Sequence, residues 1–345
     1  MVRITRLFTA VLFYFPSLLL TGCDNEDNVL ISMQPIPSDS IKVSKMWDNG
    51  KYCSFTSLVK YDGLYYCAFR EGMAHMDDIG IIRILVSSDA IEWKDRYRLS
   101  YPGYDLRDPD MSITPDGKLM LMCGLQDTSD ISTQTVLAYL ANSGGNFSPF
   151  EKVEIPLDIT EKSNWLWRST WFGDTCYSVR YGGGYQDVIK SANGKNWSLV
   201  KSLKIAGANE AKLDKMKDGR MVALFRTSGL GKIGYARSPY DDWTLINTNI
   251  VLQGQSFVIS ENERIICVSR GFNNRGAMTA LYCSIDDHLF AKLFEFPSGG
   301  DTGYASIIVE DDRLLVSYYS THERQSVIYL AEIPMKCLRD RGILF

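Results

Sequence analysis

Histidine is scarce in this sequence, with 3 among 345 residues, and neither a Cys-x-x-Cys nor a His-x-x-x-His spacing occurs. An Asp-x-Asp-x-Asp-Gly calcium loop and a glycine-rich phosphate loop before a helix are also missing. Because these motifs build the common zinc, redox, calcium and nucleotide sites, their absence argues against such sites. We therefore predict a protein without a metal ion or other cofactor.

An excess of positive charge is missing as well. Lys and Arg number 37 against 41 Asp and Glu, which gives a net charge of −4. A chain with no basic surplus has no field to hold a polyphosphate, so nucleic acid is not an expected partner. Aromatic residues are plentiful instead, with 19 Tyr, 15 Phe and 7 Trp. This composition favours a β-rich fold, and aromatic surfaces are also where sugars stack.

The first residues read as an export signal. Arg3 and Arg6 form a basic start, and the apolar stretch at residues 7–20 is too short for an ordinary spanning helix. The stretch ends in Leu20-Thr21-Gly22-Cys23, which resembles the lipobox of bacterial lipoproteins. That resemblance implies a lipid on Cys23; the alternative is an ordinary signal peptide with an unrelated cysteine.

An acidic, polar segment follows Cys23 at residues 24–28 and resembles the surface-export tags of Bacteroidetes lipoproteins. We therefore predict a signal peptide over residues 1–22, a lipidated cysteine with its tether over 23–45, and a folded domain over 46–345. The expected location is the bacterial outer membrane, through the lipid anchor, with the domain facing the periplasm or the cell surface. A monomer is expected.

The rest of the chain repeats one unit of two apolar strands around a polar turn, which is the pattern of a β-hairpin. Three turns are clear, and three more are weaker copies. They lie at Asp62-Gly63, Pro115-Asp116-Gly117, Lys217-Asp218-Gly219, Phe172-Gly173-Asp174, Glu261-Asn262-Glu263 and Asp311-Asp312-Arg313. Six units of about 50 residues match one four-stranded blade each. The prediction is an all-β fold, a six-bladed β-propeller in one domain.

A third strand and a closing turn follow in most units. Ser87 to Trp93 and Ser191 to Trp197 resemble the Asp-box, Ser-x-Asp-x-Gly-x-x-Trp. In such a turn the acidic or amide side chain holds backbone N–H groups, and the aromatic ring packs between blades. The expected role is structural.

In a propeller blade the first strand starts, and the second strand ends, at the same rim of the central channel. The predicted first strands start at Ser54, Arg107-Asp108, Trp167-Arg168, Asn209-Glu210, Gln255 and Gly303-Tyr304. The predicted second strands end at Arg70-Glu71, Gln126, Arg180-Tyr181, Arg226, Arg270 and Tyr319. This rim describes a cationic pocket with a few acids, suited to an acidic sugar of an oligosaccharide or glycan. Its candidate substrate-binding residues are Arg70, Arg107, Asp108, Arg168, Arg226 and Arg270.

Six blades, Asp-boxes and the order of these residues resemble the bacterial exo-α-sialidases. Asn209-Glu210-Ala211-Lys212-Leu213, followed by Leu224-Phe225-Arg226, resembles the segment with the family's activating glutamate and a substrate arginine. Thr302-Gly303-Tyr304-Ala305-Ser306 resembles the segment with its nucleophilic tyrosine. The resemblance implies that Tyr304 attacks the sugar, Glu210 takes the phenol proton, and Arg226 binds the substrate.

Two further positions come from the same resemblance. The loop after Arg70 lies where the family keeps its acid/base aspartate, which makes Asp78 or Asp77 the expected proton donor. Arg275, with Arg270 as the second choice, lies where another substrate arginine is expected. A tyrosine suits a 2-keto sugar acid, because the substrate's own carboxylate repels a carboxylate nucleophile and a neutral phenol avoids that repulsion.

One departure from the family keeps two other hypotheses open. The sialidase segment Arg-Ile-Pro, which supplies the central carboxylate-binding arginine, is replaced here by Ser54-Phe55-Thr56. One alternative is a lyase or hydrolase of uronate polysaccharides that uses His75 as acid or base. The other is a glycan-binding lipoprotein without turnover that keeps an aromatic platform, including Trp165, Trp167 and Trp171.

Overall fold

The structure is a computed structural model that describes residues 33–76, 79–129, 132–155, 164–182 and 184–345. Predictions for Cys23, Asp77 and Asp78 therefore lie outside the described residues. Within the described ranges the regular structure is almost entirely β, as predicted. Met33–Phe345 forms one compact unit.

Six four-stranded antiparallel sheets, here called blades 1 to 6, contain all the named strands of the described residues. The chain first forms a 3-10 turn at Ser38–Ser40 and strand β1 (Lys42–Trp47), which belongs to blade 6. Blade 1 consists of β2 (Tyr52–Tyr61), β3 (Leu64–Gly72), β4 (Ile81–Ser87) and β5 (Lys94–Leu99). Blade 2 consists of β6 (Tyr104–Ile113), β7 (Leu119–Asp127), β8 (Thr133–Leu140) and β9 (Glu151–Lys152).

Blades 3 to 6 follow in chain order, and the six-bladed β-propeller is confirmed. Blade 3 consists of β10 (Trp165–Phe172), β11 (Thr175–Gly182), β12 (Tyr185–Ser191) and β13 (Trp197–Leu203). Blade 4 consists of β14 (Ala211–Lys215), β15 (Met221–Phe225), β16 (Lys232–Ala236) and β17 (Trp243–Asn247). Blade 5 consists of β18 (Ser256–Ile259), β19 (Ile265–Asn273), β20 (Gly276–Ser284) and β21 (Phe290–Glu295). Blade 6 consists of β22 (Thr302–Val309), β23 (Arg313–Ser320), β24 (Val327–Pro334) and β1, and helix α1 (Met335–Arg339) follows it.

The two ends of the described chain meet in blade 6. Strand β1 pairs antiparallel with β24, with Val43 opposite Ala331 and Lys45 opposite Tyr329. This pairing closes the ring of blades through backbone hydrogen bonds. The predicted domain boundary at residue 46 is therefore too late, because β1 lies inside the segment that was predicted to be a tether.

The predicted hairpin turns connect the first and second strands of the blades. In blade 1, Asp62 and Gly63 both have positive φ, at 49° and 76°, and Tyr61 pairs with Leu64. Gly117 and Gly219 hold the corresponding turns of blades 2 and 4 with φ of 75° and 86°. Glycine adopts this conformation without the strain that a Cβ introduces, so the Asp-Gly pattern predicts these turns well.

Apolar side chains fill the spaces between neighbouring blades. Between blades 1 and 2, for example, Tyr66 and Ile84 pack in one cluster with Leu121 and Val136, and all four are fully buried. The closing turns of blades 1 and 3 contain the expected backbone hydrogen bonds. Oδ1 of Asp89 accepts from the N–H groups of Ile91 and Glu92 at 2.8 and 2.9 Å. Trp197, which follows the turn of blade 3, is 2% exposed.

A β-bulge occurs at the same place in the innermost strands of blades 1, 2, 3 and 6. One residue of each bulge has positive φ: Phe55 (61°), Asp108 (44°), Arg168 (45°) and Tyr304 (47°). Bulges redirect a side chain and are common beside functional sites. Four equivalent positions of the propeller therefore present four chemically different side chains toward one another.

Candidate functional site

Tyr304 and Glu210 form a hydrogen-bonded pair between blades 6 and 4. The phenol oxygen of Tyr304 donates to Oε1 of Glu210 at 2.7 Å. Tyr304 is 8% exposed and Glu210 is 5% exposed. The other carboxylate oxygen of Glu210, Oε2, is buried without a hydrogen-bond partner among the described residues. The carboxylate therefore has free capacity to accept a proton.

Arg226 completes this group. Its Nη1 lies 2.8 Å from Oε1 of Glu210 and 3.1 Å from the hydroxyl oxygen of Tyr304. Its side chain is 23% exposed, which leaves part of the guanidinium open to solvent. The structure thus brings together the three residues that the sequence predicted as nucleophile, activating base and substrate arginine. A positive charge beside the phenol oxygen stabilises a phenolate there.

Backbone hydrogen bonds place Glu210 and Arg226 side by side. The N–H of Arg226 donates to the carbonyl of Glu210 at 2.9 Å, which extends the ladder of β14 and β15 beyond the strand ends. Nε2 of Gln255 donates to the same carbonyl at 3.0 Å. Gly254 leaves room for the Tyr304 ring, because a Cβ at this glycine would lie 2.6 Å from Cδ2 of Tyr304.

The surroundings of Tyr304 favour its neutral form. Its ring contacts Phe55 and Trp167 edge-on, with centroids 4.8 and 5.4 Å away. Burial and the negative charges of Glu210 and Asp108 raise the pKa of the Tyr304 hydroxyl well above its usual value. An attack by Tyr304 on a sugar therefore requires a base to take its proton, and Glu210 is in position to do so.

Arg270 lies on the other side of the Tyr304 ring. Its guanidinium carbon is 5.5 Å from the ring centroid, and Nη2 bonds to Oδ1 of Asp301 at 2.6 Å and to the Tyr319 hydroxyl at 3.1 Å. Arg275, in contrast, is in the exposed β19–β20 turn, with 82% of its side chain accessible. The structure thus places Arg270, the second choice from the sequence, beside Tyr304 and leaves Arg275, the first choice, outside this group.

Asp301 was not predicted from the sequence, yet it links several site residues. Its Oδ2 lies 2.7 Å from Nδ1 of His75 and also accepts from the Tyr52 hydroxyl, while Oδ1 accepts from Tyr319 at 2.8 Å. Burial alone would raise the pKa of Asp301. The hydrogen bonds from His75 and Tyr52 outweigh that effect and lower the pKa below its usual range.

Arg70, predicted as a substrate-binding residue, is buried and paired with Asp105. It is fully buried, and its Nε donates to Oδ1 of Asp105 at 2.8 Å. Its Nη1 donates to the carbonyl of Ala74 at 2.8 Å, and the N–H of Gly80 donates to Asp105 at 2.9 Å. In this structure the Arg70 side chain is closed to solvent and holds the backbone beside His75, whereas the sequence predicted it as a substrate-binding residue.

The replaced arginine of blade 1 leaves an apolar position. Phe55 occupies the bulge of β2, and its ring contacts His75 and Tyr319 as well as Tyr304. The guanidinium carbon of Arg107 lies 5.1 Å from the Phe55 centroid, which is within cation–π range. Nε of Arg107 is buried without a hydrogen-bond partner among the described residues. Arg107 of blade 2 thus lies beside Phe55, in the segment of blade 1 that has no arginine.

Asp108 shares the buried side of the pocket. Its Oδ1 is closed to solvent and has no hydrogen-bond partner in the described part of the chain. Burial raises the pKa of Asp108 to about 7; the charge of Arg107 opposes this rise and the charge of Glu210 adds to it. The carboxyl group therefore changes its charge near neutral pH.

Arg168 and two of the three tryptophans of the predicted platform are buried, while Trp171 is half-buried. Nη2 of Arg168 donates to the carbonyls of Ala305 at 2.8 Å and Thr56 at 3.3 Å, so it ties blade 3 to blades 6 and 1. Trp165 and Trp167 are 9% and 3% exposed. These indoles pack within the propeller and do not form an open surface for a sugar, and Arg168 is only 7% exposed.

Three further features are the arrangement of possible metal ligands, the cysteines and the length of the helices. Among the described residues no group of three His, Cys, Asp or Glu side chains is arranged to hold a metal ion. The seven described cysteines are unpaired, and six of them are buried. No helix in the described ranges has the length and apolar character needed to cross a membrane.

Comparison with known proteins reveals similarity of structure only. No protein-family model and no curated protein matches the sequence. The fold is similar to a protein of unknown function from Dyadobacter fermentans, with a TM-score of 0.73, 15% identity, and 85% of this chain and 99% of that chain covered.

Sialidases are also among the similar structures. A mutant Trypanosoma rangeli sialidase with trans-sialidase activity has a TM-score of 0.71 at 12% identity, with 90% of this chain and 61% of that chain covered. The NanB sialidase of Streptococcus pneumoniae has a TM-score of 0.66 at 12% identity, with 87% and 70% covered. The chain thus spans about three fifths of the trypanosomal enzyme, and the class that the structure defines is a six-bladed β-propeller of the sialidase fold.

Proposed function

We propose that the protein is an exo-acting glycoside hydrolase that removes a terminal acidic sugar, sialic acid or a related keto or uronic sugar, from a glycan. The observation that carries this proposal is the hydrogen-bonded group of Tyr304, Glu210 and Arg226. A propeller does not need a buried phenol, carboxylate and guanidinium at its rim for stability, and a buried ion pair is weak evidence of a stabilising role. A nucleophile bonded to a base is the arrangement that covalent catalysis requires.

In the proposed reaction the acidic group of the sugar lies near Arg226 and Arg270. Tyr304 attacks the anomeric carbon as the glycosidic C–O bond breaks, Glu210 takes the phenol proton, and an acid in the pocket protonates the departing oxygen. Arg226 stabilises the negative charge that develops on the phenol oxygen, because its Nη1 already lies 3.1 Å from that atom. Water then attacks the anomeric carbon and gives one proton to the same acid, while the bond to Tyr304 breaks and the phenolate recovers its proton from Glu210.

A soluble form that begins at residue 33 contains every described residue and tests the proposal. We would incubate it with a panel of sialylated and uronate-containing oligosaccharides and identify products by mass spectrometry. The expected result is release of one free acidic monosaccharide. Binding of an acidic glycan without any product would instead favour the non-catalytic alternative.

A uronate lyase is the second candidate, and the pair of His75 and Asp301 is the observation that favours it. A lyase removes a proton beside the carboxylate and leaves an unsaturated sugar, for which a histidine held by a carboxylate is a suitable base. The same panel separates the two activities. An unsaturated product with ultraviolet absorbance would identify a lyase, and a saturated product with the elements of water added would identify a hydrolase.

The cellular location is a separate proposal. The lipobox-like segment ending at Cys23 supports a bacterial outer-membrane lipoprotein whose propeller faces the periplasm or the cell surface. An anchor at this end would hold the enzyme on the envelope that its glycan substrates reach.

A further inference from the structure

His75 and Asp301 form a second acid–base pair at the same pocket, which the Tyr304 reaction scheme does not use. Nδ1 of His75 lies 2.7 Å from Oδ2 of Asp301. Because an ionised carboxylate only accepts hydrogen bonds, Nδ1 carries the hydrogen in this contact. The other ring nitrogen, Nε2, is then the one available for proton transfer, and 39% of the side chain is exposed.

The position of His75 relative to Tyr304 follows from Phe55. The Phe55 ring contacts His75 with centroids 5.3 Å apart and Tyr304 with centroids 4.8 Å apart. His75 and Tyr304 thus both contact the same aromatic ring, which places the proposed acid and the proposed nucleophile at one pocket.

The loop that carries His75 is held by the surrounding blades. Nη1 of Arg107 donates to the His75 carbonyl at 3.2 Å, and Arg70 holds the carbonyl of Ala74. Tyr52 contacts both members of the pair, since its hydroxyl lies 3.3 Å from Nδ1 of His75 and also bonds to Asp301. Hydrogen bonds to the backbone at residues 74 and 75 and to the imidazole ring therefore hold His75 in place.

Charged side chains of neighbouring blades surround the pair. Asp301 faces His75 with one oxygen and bonds to Arg270 and the Tyr319 hydroxyl with the other. From blade 2, Arg107 lies behind the loop, and the charge of His75 acts on Asp108. A carboxylate that bonds to Nδ1 fixes the orientation of the imidazole ring, as it does in the His–Asp pairs of other hydrolases.

We propose that His75 is the proton donor to the departing sugar oxygen, and that Asp301 is the positioning residue that holds His75 in its reactive orientation. This inference rests on the proposed hydrolase function. In the first step the bond from Tyr304 to the anomeric carbon forms, the glycosidic C–O bond breaks, and its electron pair takes the proton from Nε2 of His75. The Tyr304 proton passes to Glu210.

In the second step the two proton movements reverse. Water attacks the anomeric carbon and gives one proton to Nε2 of His75, while the bond to Tyr304 breaks and the phenolate recovers its proton from Glu210. All groups return to their starting protonation states, and no external reagent other than water is consumed.

The dependence on the leaving group tests the role of His75. A good leaving group departs without protonation, so removing the acid harms only the reaction of poor leaving groups. We would compare para-nitrophenyl sialoside with sialyllactose, or the matching pair for another acidic sugar that the substrate panel identifies. For His75→Gln we expect kcat/KM on the oligosaccharide to fall by at least about 100-fold and on the aryl glycoside by less than about tenfold.

Asp301→Asn serves to test positioning. It should lower kcat/KM selectively on the oligosaccharide, by a smaller factor than His75→Gln does. A merely structural role would not give this selectivity, because a structural defect lowers activity on both substrates. The matched control is His288→Gln, since His288 lies 3.5 Å from Asp286 in a turn of blade 5 and 39% of its side chain is exposed. This control should leave both activities unchanged.

Two results would overturn the assignment. One is an equal effect of His75→Gln on both substrates, in a variant with unchanged thermal unfolding. The other is a selective loss in Asp78→Asn or Asp77→Asn with none in His75→Gln, which would place the acid in that segment. The proposed hydrolase function fails separately, if the wild-type protein releases no acidic sugar from either substrate.

Discussion

The phenol oxygen of Tyr304 lies 2.7 Å from Oε1 of Glu210, although the two residues are 94 positions apart and belong to blades 6 and 4. Their side chains meet because the bulge of β22 directs Tyr304 inward with a φ of 47°. The ladder between β14 and β15 continues past its end and holds Glu210 beside Arg226. The proposed chemistry depends on this one contact more than on any other.

Removing either member of the pair should abolish turnover without unfolding the protein. Tyr304→Phe and Glu210→Gln are each expected to lower kcat by at least about 100-fold, because each deletes a group that acts on the reacting atoms. Steady-state kinetics on the released acidic sugar measure the effect. Tyr318→Phe is the control, since Tyr318 is fully buried and its hydroxyl bonds to the Pro297 carbonyl instead. Full activity of Tyr304→Phe would exclude the nucleophile assignment.

Arg226 should affect the rate of reaction as well as binding. Because its Nη1 contacts both Glu210 and the Tyr304 hydroxyl, Arg226→Met is expected to lower kcat by about 10- to 100-fold in addition to raising KM. Arg270→Met should mainly raise KM, since Arg270 lies over the Tyr304 ring and its Nη2 bonds to Asp301 and Tyr319. Kinetic measurement of both variants on the same substrate separates these effects. Equal loss of kcat in the two would contradict the distinction.

Asp108 should make stability depend on pH in the neutral range. Its pKa is raised to about 7 by burial in the folded state, from an ordinary value of 3.8. Ionisation of Asp108 therefore costs stability, and this cost is absent at about pH 4, grows as the pH rises toward 7 and is constant above it. Asp108→Asn cannot ionise, so its melting temperature should rise relative to the wild type between these two pH values.

The control for this measurement is Asp89→Asn, because the pKa of Asp89 is lowered where that of Asp108 is raised. Backbone hydrogen bonds from Glu92 and Ile91 lower the pKa of Asp89. Any pH-dependent difference for Asp89→Asn should thus appear only below about pH 4, where the wild-type carboxylate becomes protonated. A difference between Asp108→Asn and the wild type that does not change from pH 4 to pH 8 would show that Asp108 stays ionised.

The lipobox resemblance predicts that Cys23 determines where in the cell the protein is located. Cys23→Ala should shift the protein from the membrane fraction to the soluble fraction of the native host, because the lipid anchor cannot be attached. Fractionation followed by mass spectrometry of the mature amino terminus measures this. A wild-type protein without lipid, or a variant that stays firmly in the membrane, would contradict the prediction.

The sequence predicted the fold better than the site, and the reason is physical. Asp-Gly turns such as Asp62-Gly63 are local signals, so the hairpins, and from their number the six blades, follow from short stretches of chain. Long-range pairing is not visible in this way. The contribution of β1 to blade 6 and the contact of Asp301 with His75 both depend on how distant segments close the ring.

The predictions for the candidate site show the same difference between local signals and long-range contacts. Tyr304, Glu210 and Arg226 were identified because each lies in a segment that resembles a known motif. Arg70 looks equivalent to the other arginines in the sequence. In the structure it is buried and paired with Asp105, and no local pattern predicts that pair. The choice between Arg270 and Arg275 also required the structure, because only the direction of the side chain relative to Tyr304 decides it.

Trapping the covalent intermediate tests the central claim most directly. A sialosyl fluoride with a second fluorine beside the anomeric carbon reacts with a nucleophile and then hydrolyses slowly, so peptide mapping by mass spectrometry can locate the attached sugar. We predict one sugar bound to the peptide that contains Tyr304, with none on Tyr304→Phe and a normal adduct on Tyr318→Phe. Turnover of an acidic glycoside with no adduct, or an adduct on another residue, would contradict a mechanism through Tyr304.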